Sequence, residues 1–158
     1  MSDAKFEDGG EKPLRLKALD IDDLAVMSSL TQDAVFPASE MRWDSKARRF
    51  ALLLNRFRWE VAPNVNTSTG NVERVQAVMS IEDVISVKSQ GVLAGDADMI
   101  ISLLSVSFEP STDGMGCVLL TLSGDGAIAI EVEALEVMLA DVTRPYMAPS
   151  KSVPQHGD

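Results

Sequence analysis

Apolar and polar residues alternate along much of this chain, and the period of that alternation changes from segment to segment. Leu14-Arg15-Leu16-Lys17-Ala18-Leu19 sets apolar against basic residues with period two, the mark of a half-buried strand. Asp20 then reads as a helix N-cap, with Asp22 and Asp23 in the first turn, where carboxylates meet the positive end of the helix dipole. Leu24, Met27 and Leu30 supply the buried stripe of a short helix. Ala34 to Trp43 is extended and bent at Pro37, and Asp44-Ser45-Lys46-Ala47 reads as a turn. Arg49 to Glu60 is the longest strand. Phe50, Leu52 and Leu54 face one side and Leu53, Phe57 and Trp59 the other, which predicts a strand covered on both faces in its first half. In its second half Arg56, Arg58 and Glu60 point away from Phe57 and Trp59.

Pro63 to Asn71 is rich in Asn, Ser, Thr and Gly and reads as a loop. Val72 to Gln90 is strand material, with a bend or bulge expected at Glu82-Asp83. Gly91–Asp98 and Pro110–Gly116 are loops on either side of a strand marked by Ile100, Leu104, Val106 and Phe108. Val118–Leu122 and Ala127–Glu131 form a hairpin around Ser123-Gly124-Asp125-Gly126, whose Asp-Gly step suits the positive φ of a tight turn. Leu135, Met138, Leu139 and Val142 recur at i, i+3, i+4 and i+7, which predicts a C-terminal helix over Val132–Val142, ended by Pro145. The whole predicts an α+β domain. Its curled antiparallel sheet has about six to eight strands, with an N-terminal and a C-terminal helix. A pleckstrin-homology-like half barrel, plugged by the last helix, is the architecture that fits. The expected organisation is a disordered N-terminus at 1–12, a single domain at 13–146 and a loose tail at 147–158.

At 158 residues one domain with a real core is expected. No apolar run approaches the roughly 20 residues that cross a bilayer, and Met1–Lys12 is polar, so the expected location is cytoplasmic. The net charge of −10 argues against nucleic acid and anionic membrane as partners. The charge is unevenly spread. Arg42 to Arg58 holds six basic residues and one acid, Asp44, while Ser89 to Thr143 holds nine acids and no Lys or Arg. These opposite potentials predict that the basic strands meet the acidic half, within one chain or between two. A homodimer is the expected assembly, with Trp43, Met41 or Val35 as its apolar patch.

The sequence offers little catalytic chemistry. His156, the only histidine, lies three residues from the C-terminus, a poor place for a base held rigidly in a cleft. Cys117, the only cysteine, reads as an inert core thiol and excludes an internal disulfide or a thiol-based zinc site. Asp22-Asp23, Glu82-Asp83 and Asp96/Asp98 are paired carboxylates, but none offers the six to eight oxygens that calcium takes, so no metal is expected. Gly114-Met115-Gly116 and Gly124-Asp125-Gly126 open no helix and so make no phosphate cradle. No cofactor is expected. The distinctive stretch is Asn55-Arg56-Phe57-Arg58-Trp59-Glu60. Two arginines on one strand face form forks for a carboxylate or phosphate, and a tryptophan beside them stacks on a ring or a guanidinium. Arg56, Arg58, Trp59 and Glu60 are therefore the candidate ligand or partner surface. The competing reading has Phe57 and Trp59 in the core and both arginines paired with acids on neighbouring strands.

Several of these segments together resemble a known family. Leu16-Lys17-Ala18-Leu19-Asp20, the run from Arg49 to Glu60, Val87-Lys88-Ser89-Gln90-Gly91, Phe108-Glu109-Pro110 and Gly126 to Glu133 resemble short alphaproteobacterial proteins grouped as a domain of unknown function. The resemblance runs from about residue 14 to residue 145. It implies a bacterial cytoplasmic protein and carries no catalytic residues with it. The reading that follows is a non-catalytic binding or assembly module. The alternative is a small enzyme or ligand-binding domain that holds an anionic metabolite through Arg56 and Arg58, with Glu60 or Glu109 as acid–base.

Overall fold

Period-two burial governs most strands of this molecule among the described residues. The computed structural model describes residues 13–60, 73–91 and 98–147. The expected disordered N-terminus, the loop at 63–71, the tail from 148 onward with His156, and Asp96 lie outside the described residues. Strand β1 (Arg15–Ala18) leads into helix α1 (Ile21–Leu30), then β2 (Ala34–Pro37), one turn of 3-10 helix (Ala38–Glu40) and β3 (Met41–Asp44). There follow β4 (Arg49–Phe57), β5 (Glu73–Ile81), β6 (Val84–Gln90) and β7 (Ile100–Pro110). The chain continues through β8 (Gly116–Leu122), β9 (Gly126–Val132), β10 (Val137–Asp141) and β11 (Tyr146–Met147).

All eleven strands belong to one antiparallel sheet in the order β1-β10-β5-β4-β2-β7-β8-β9-β6, with β3 on β4 and β11 on β5. The order has two ends, so the sheet is open. Strand β2 hinges its two halves. It meets β4 through Val35 and Asn55 alone, and β7 through four residue pairs. At two other points the chain crosses between halves: β5 to β6 at Glu82-Asp83, where Asp83 takes φ 55°, and β9 to β10 at Glu133–Glu136. The crossings bind each other. Glu133 N–H donates to the Asp83 carbonyl at 2.9 Å and Glu82 N–H to the Glu136 carbonyl at 3.0 Å.

One core lies inside the curl. Phe50, Leu52 and Leu54 of β4 and Ala77, Met79 and Ile81 of β5 face it from one half. Leu103 and Val106 of β7, Val118, Leu120 and Leu122 of β8, and Ile128, Ile130 and Val132 of β9 face it from the other. Helix α1 lies against β7 and β1 and adds Leu24 and Met27. Its Asp20 cap forms as expected, Oδ1 accepting the Asp23 N–H at 2.8 Å. The β8–β9 hairpin also forms, but its positive φ values, 70° and 63°, fall at Gly124 and Asp125, one step before the expected Asp125-Gly126.

The C-terminal helix is the main correction: residues 137–141 form β10, an inner strand between β1 and β5. Leu135, Val137 and Leu139 are buried while Met138 is 40% exposed, a period of two where the spacing had suggested 3.6. Short apolar runs satisfy both periods, and here pairing on both edges outweighs the helix propensity of Glu, Ala and Leu. Only one α-helix remains among the described residues, and the strands exceed the expected six to eight. The half-barrel expectation rested on that helical plug and loses its support with it. Two smaller corrections concern faces. A bulge between Leu103 and Ser105 of β7 shifts the phase, leaving Ile100 and Leu104 exposed and Ile101 and Leu103 buried. The second face of β4, with Ala51 and Leu53, is only half-buried rather than covered.

Candidate functional site

The alternation that buries Phe50, Leu52 and Leu54 continues one step further along β4 and carries Arg56 into the interior with them. A guanidinium there needs every donor met, because an unpaired buried charge costs several kcal/mol. Arg56 is 0% exposed and meets this condition in full. Its Nε donates to Asp141 Oδ1 at 3.0 Å and its Nη2 to Asp141 Oδ2 at 3.0 Å. Its Nη2 also donates to Glu60 Oε2 at 2.8 Å, and its Nη1 to Glu60 Oε1 at 2.9 Å and to the Phe57 carbonyl at 3.1 Å. Those five bonds match the five N–H groups of an arginine. Asp141 Oδ2 also accepts the Leu14 N–H at 2.9 Å, which ties β10 to the start of β1.

Glu60 reaches Arg56 by turning back immediately after the strand. Burial pushes its carboxyl up. The Arg56 hydrogen bonds, a backbone hydrogen bond within Glu60 and the charges of Arg56 and Arg58 outweigh burial and hold it below the usual carboxylate range. Burial likewise opposes the charge on Arg56, and bonding to Glu60 and Asp141 more than restores it.

Arg58 is also buried. Its side chain pairs with Glu73, its Nε lies 3.9 Å from Glu60 Oε2, and its backbone N–H donates to the Glu73 carbonyl at 3.1 Å. On the opposite face Phe57 and Trp59 sit with ring centroids 5.4 Å apart, and Trp59 Nε1 donates to the Gln32 carbonyl at 2.9 Å. Arg74 lies over the Phe57 ring at 4.5 Å. Its Nε is buried without a hydrogen-bond partner, and burial pushes its pKa down. Tyr146 Oη donates to Asn55 Oδ1 at 2.7 Å beside it.

The four expected site residues are thus gathered at one end of β4, split between two faces. Arg56, Arg58 and Glu60 form one ionic cluster, and Trp59 stands behind it with Phe57. An anion at Arg56 must displace Glu60 or Asp141, since no N–H is left over. Sequence reasoning missed Asp141, Glu73, Arg74 and Tyr146. The parity of β4 already pointed Arg56 into the core, where a partner was obligatory. The identity of that partner was hidden because Asp141 lies 85 residues further along the chain.

The remaining candidates are dispersed. Glu82 pairs with Arg49 at 2.9 Å and with Ser80; burial pushes its carboxyl up, and these bonds bring it net below the usual range. Arg48 pairs with Glu133. Cys117 is half-buried on the outer face of β8 rather than in the core, in register between Glu109 of β7 and Glu131 of β9. Among the described residues no group of three or more His, Cys, Asp or Glu is placed to hold a metal ion, and no helix is long and apolar enough to cross a membrane.

An open antiparallel sheet with one covering helix and a buried arginine clasp defines a mostly-β domain. A family model described as Protein of unknown function (DUF2948) matches residues 14–156, and the chain belongs to that family. No curated protein and no solved structure matches it.

Proposed function

We propose that this chain is a non-catalytic binding or assembly module of the bacterial cytoplasm and that it works as a homodimer. The observation that carries the reading is the contrast between spent and unspent side chains. The arginines expected to hold an anion are consumed by Glu60, Asp141 and Glu73. Meanwhile β3, paired only to β4 among the described strands, carries Arg42 and the 40% exposed Trp43 on a free edge. A free edge invites strand or side-chain docking, and Trp and Arg are the residue types that dominate interfaces. Of the three apolar residues expected to form a patch, Trp43 is the exposed one, while Val35 and Met41 are half-buried.

Light scattering at tens of micromolar, in low and in high salt, tests the reading. The expected result is twice the chain mass in low salt. A single chain mass in both salts removes the assembly proposal.

A further inference from the structure

A groove of about 630 Å³ lies on the outer face of β7, β8 and β9. Sites of roughly 300–1,000 Å³ accept groups of small-molecule size, so an indole fits. Its walls include Ile85, 44% exposed, Met115, 37% exposed, and Leu119. Glu109 and Glu131 stand on β7 and β9, on either side of Cys117 of β8. Strands lie ~4.8 Å apart, which places the two carboxylate positions roughly 10 Å from each other across the floor. Neither carboxylate meets a cation among the described residues. Glu131 accepts from Ser86 Oγ at 2.9 Å, and Lys88, one row further along on β6, is in no ion pair.

The complementary surface is the β3–β4 hairpin tip. Arg48, Arg49, Arg56 and Arg58 each have a carboxylate partner, but Arg42 and Lys46 have none among the described residues. Both are exposed: Arg42 projects from the face of β3 opposite the exposed Trp43, and Lys46 lies in the turn that follows. The acid between them, Asp44, is turned into its own turn, where Oδ1 accepts the Ala47 N–H at 3.0 Å. An edge strand and turn bearing an exposed indole and two unspent cations thus stand on one part of the molecule, and an apolar groove rimmed by two unspent carboxylates stands on another.

We infer that this groove receives the β3–β4 tip of a second copy, with Trp43 against Ile85, Met115 and Leu119, and Arg42 and Lys46 facing Glu109 and Glu131 at the rim. The inference rests on the assembly reading above and adds the surfaces to it. Each copy offers one tip and one groove, so a reciprocal exchange makes a closed two-fold pair. The indole supplies affinity, and the charges supply register and encounter rate.

Sedimentation of the full chain tests this, with melting temperature as the control for folding. Trp43→Ala on the tip, and Glu109→Lys with Glu131→Lys in the groove, each raise the dimer dissociation constant roughly 30-fold or more. Mixing the two variants restores one intact contact and yields a heterodimer that neither forms alone. Arg42→Glu and Lys46→Glu, added to the groove reversal in one chain, bring the dimer back. A wild-type dimer that both variants leave unchanged overturns this inference and leaves the assembly reading standing. A wild-type monomer at low salt removes both.

Discussion

Arg56 on β4 and the pair Glu109 and Glu131 on β7 and β9 stand in different halves of one sheet and meet opposite fates. Arg56 is inside the curl, 0% exposed, with five N–H groups on five acceptors. Glu109 and Glu131 are on the outer face, exposed, and paired with no cation among the described residues. An unpaired buried charge is costly, and the Arg56 guanidinium is bonded on all five N–H groups and becomes architecture. On the surface water solvates the carboxylates, so they persist unpaired and stay available to a partner. An arginine beside a tryptophan in a sequence is therefore ambiguous until the face it occupies is known.

The sharpest break in this comparison is deletion of the buried charge. Arg56→Ala, or Asp141→Ala, should destabilise the fold by about 3–5 kcal/mol in urea unfolding, because either change strands a buried charge. Replacing all three partners together, as Arg56→Met, Glu60→Leu and Asp141→Leu, should recover most of that loss. A small effect of Arg56→Ala would show that the cluster holds nothing together.

The clasp closes only if β10 is a strand, which a second pair of variants sharpens. Leu139→Ala should cost about 2–5 kcal/mol and Met138→Ala under about 0.5 kcal/mol, since Leu139 is fully buried and Met138 is 40% exposed. Equal losses would favour a helical stripe, which buries both.

Acid should open the clasp. Glu60 and Glu82 both have carboxyl pKa values lowered in the fold. Their contribution is complete above the unfolded value of about 4.3 and is lost as pH falls through the lower folded values. Stability should therefore be flat near neutrality and decline below about pH 4.3, and Glu60→Gln should flatten part of that decline. A wild-type protein whose stability does not fall in that window contradicts the sign. The smallest effect belongs to the open side of the comparison: Glu109→Gln or Cys117→Ser should change monomer stability by under about 0.5 kcal/mol.

Much of this fold was readable in the sequence because single-faced alternation is a local signal. Strand β1, the Asp20 cap and both strands of the β8–β9 hairpin follow from neighbours within a few residues, although the positive-φ step of its turn lies at Gly124-Asp125 rather than Asp125-Gly126. Strand β10 was misread because Leu135, Met138, Leu139 and Val142 satisfy a helical period, while its partners β1 and β5 lie far off in the chain. The β7 bulge inverted a phase that strict alternation would keep. Arg56, Arg58 and Glu60 were singled out as a ligand surface and come together in one ionic cluster, whose other partners, Asp141 and Glu73, were not visible. Burial of Arg56 follows from counting two past Leu54; the choice of Asp141 is a matter of tertiary register, which alternation does not encode.

The central claim is that Arg56 is sealed. Its Nε–H proton reports this directly in a nitrogen-correlated NMR spectrum. A guanidinium bonded on every N–H and shut off from water should give a sharp, slowly exchanging Nε–H signal that excess inorganic phosphate does not shift. Fast solvent exchange, or a saturable shift with phosphate, would contradict the account and return Arg56 to the role of an anion ligand.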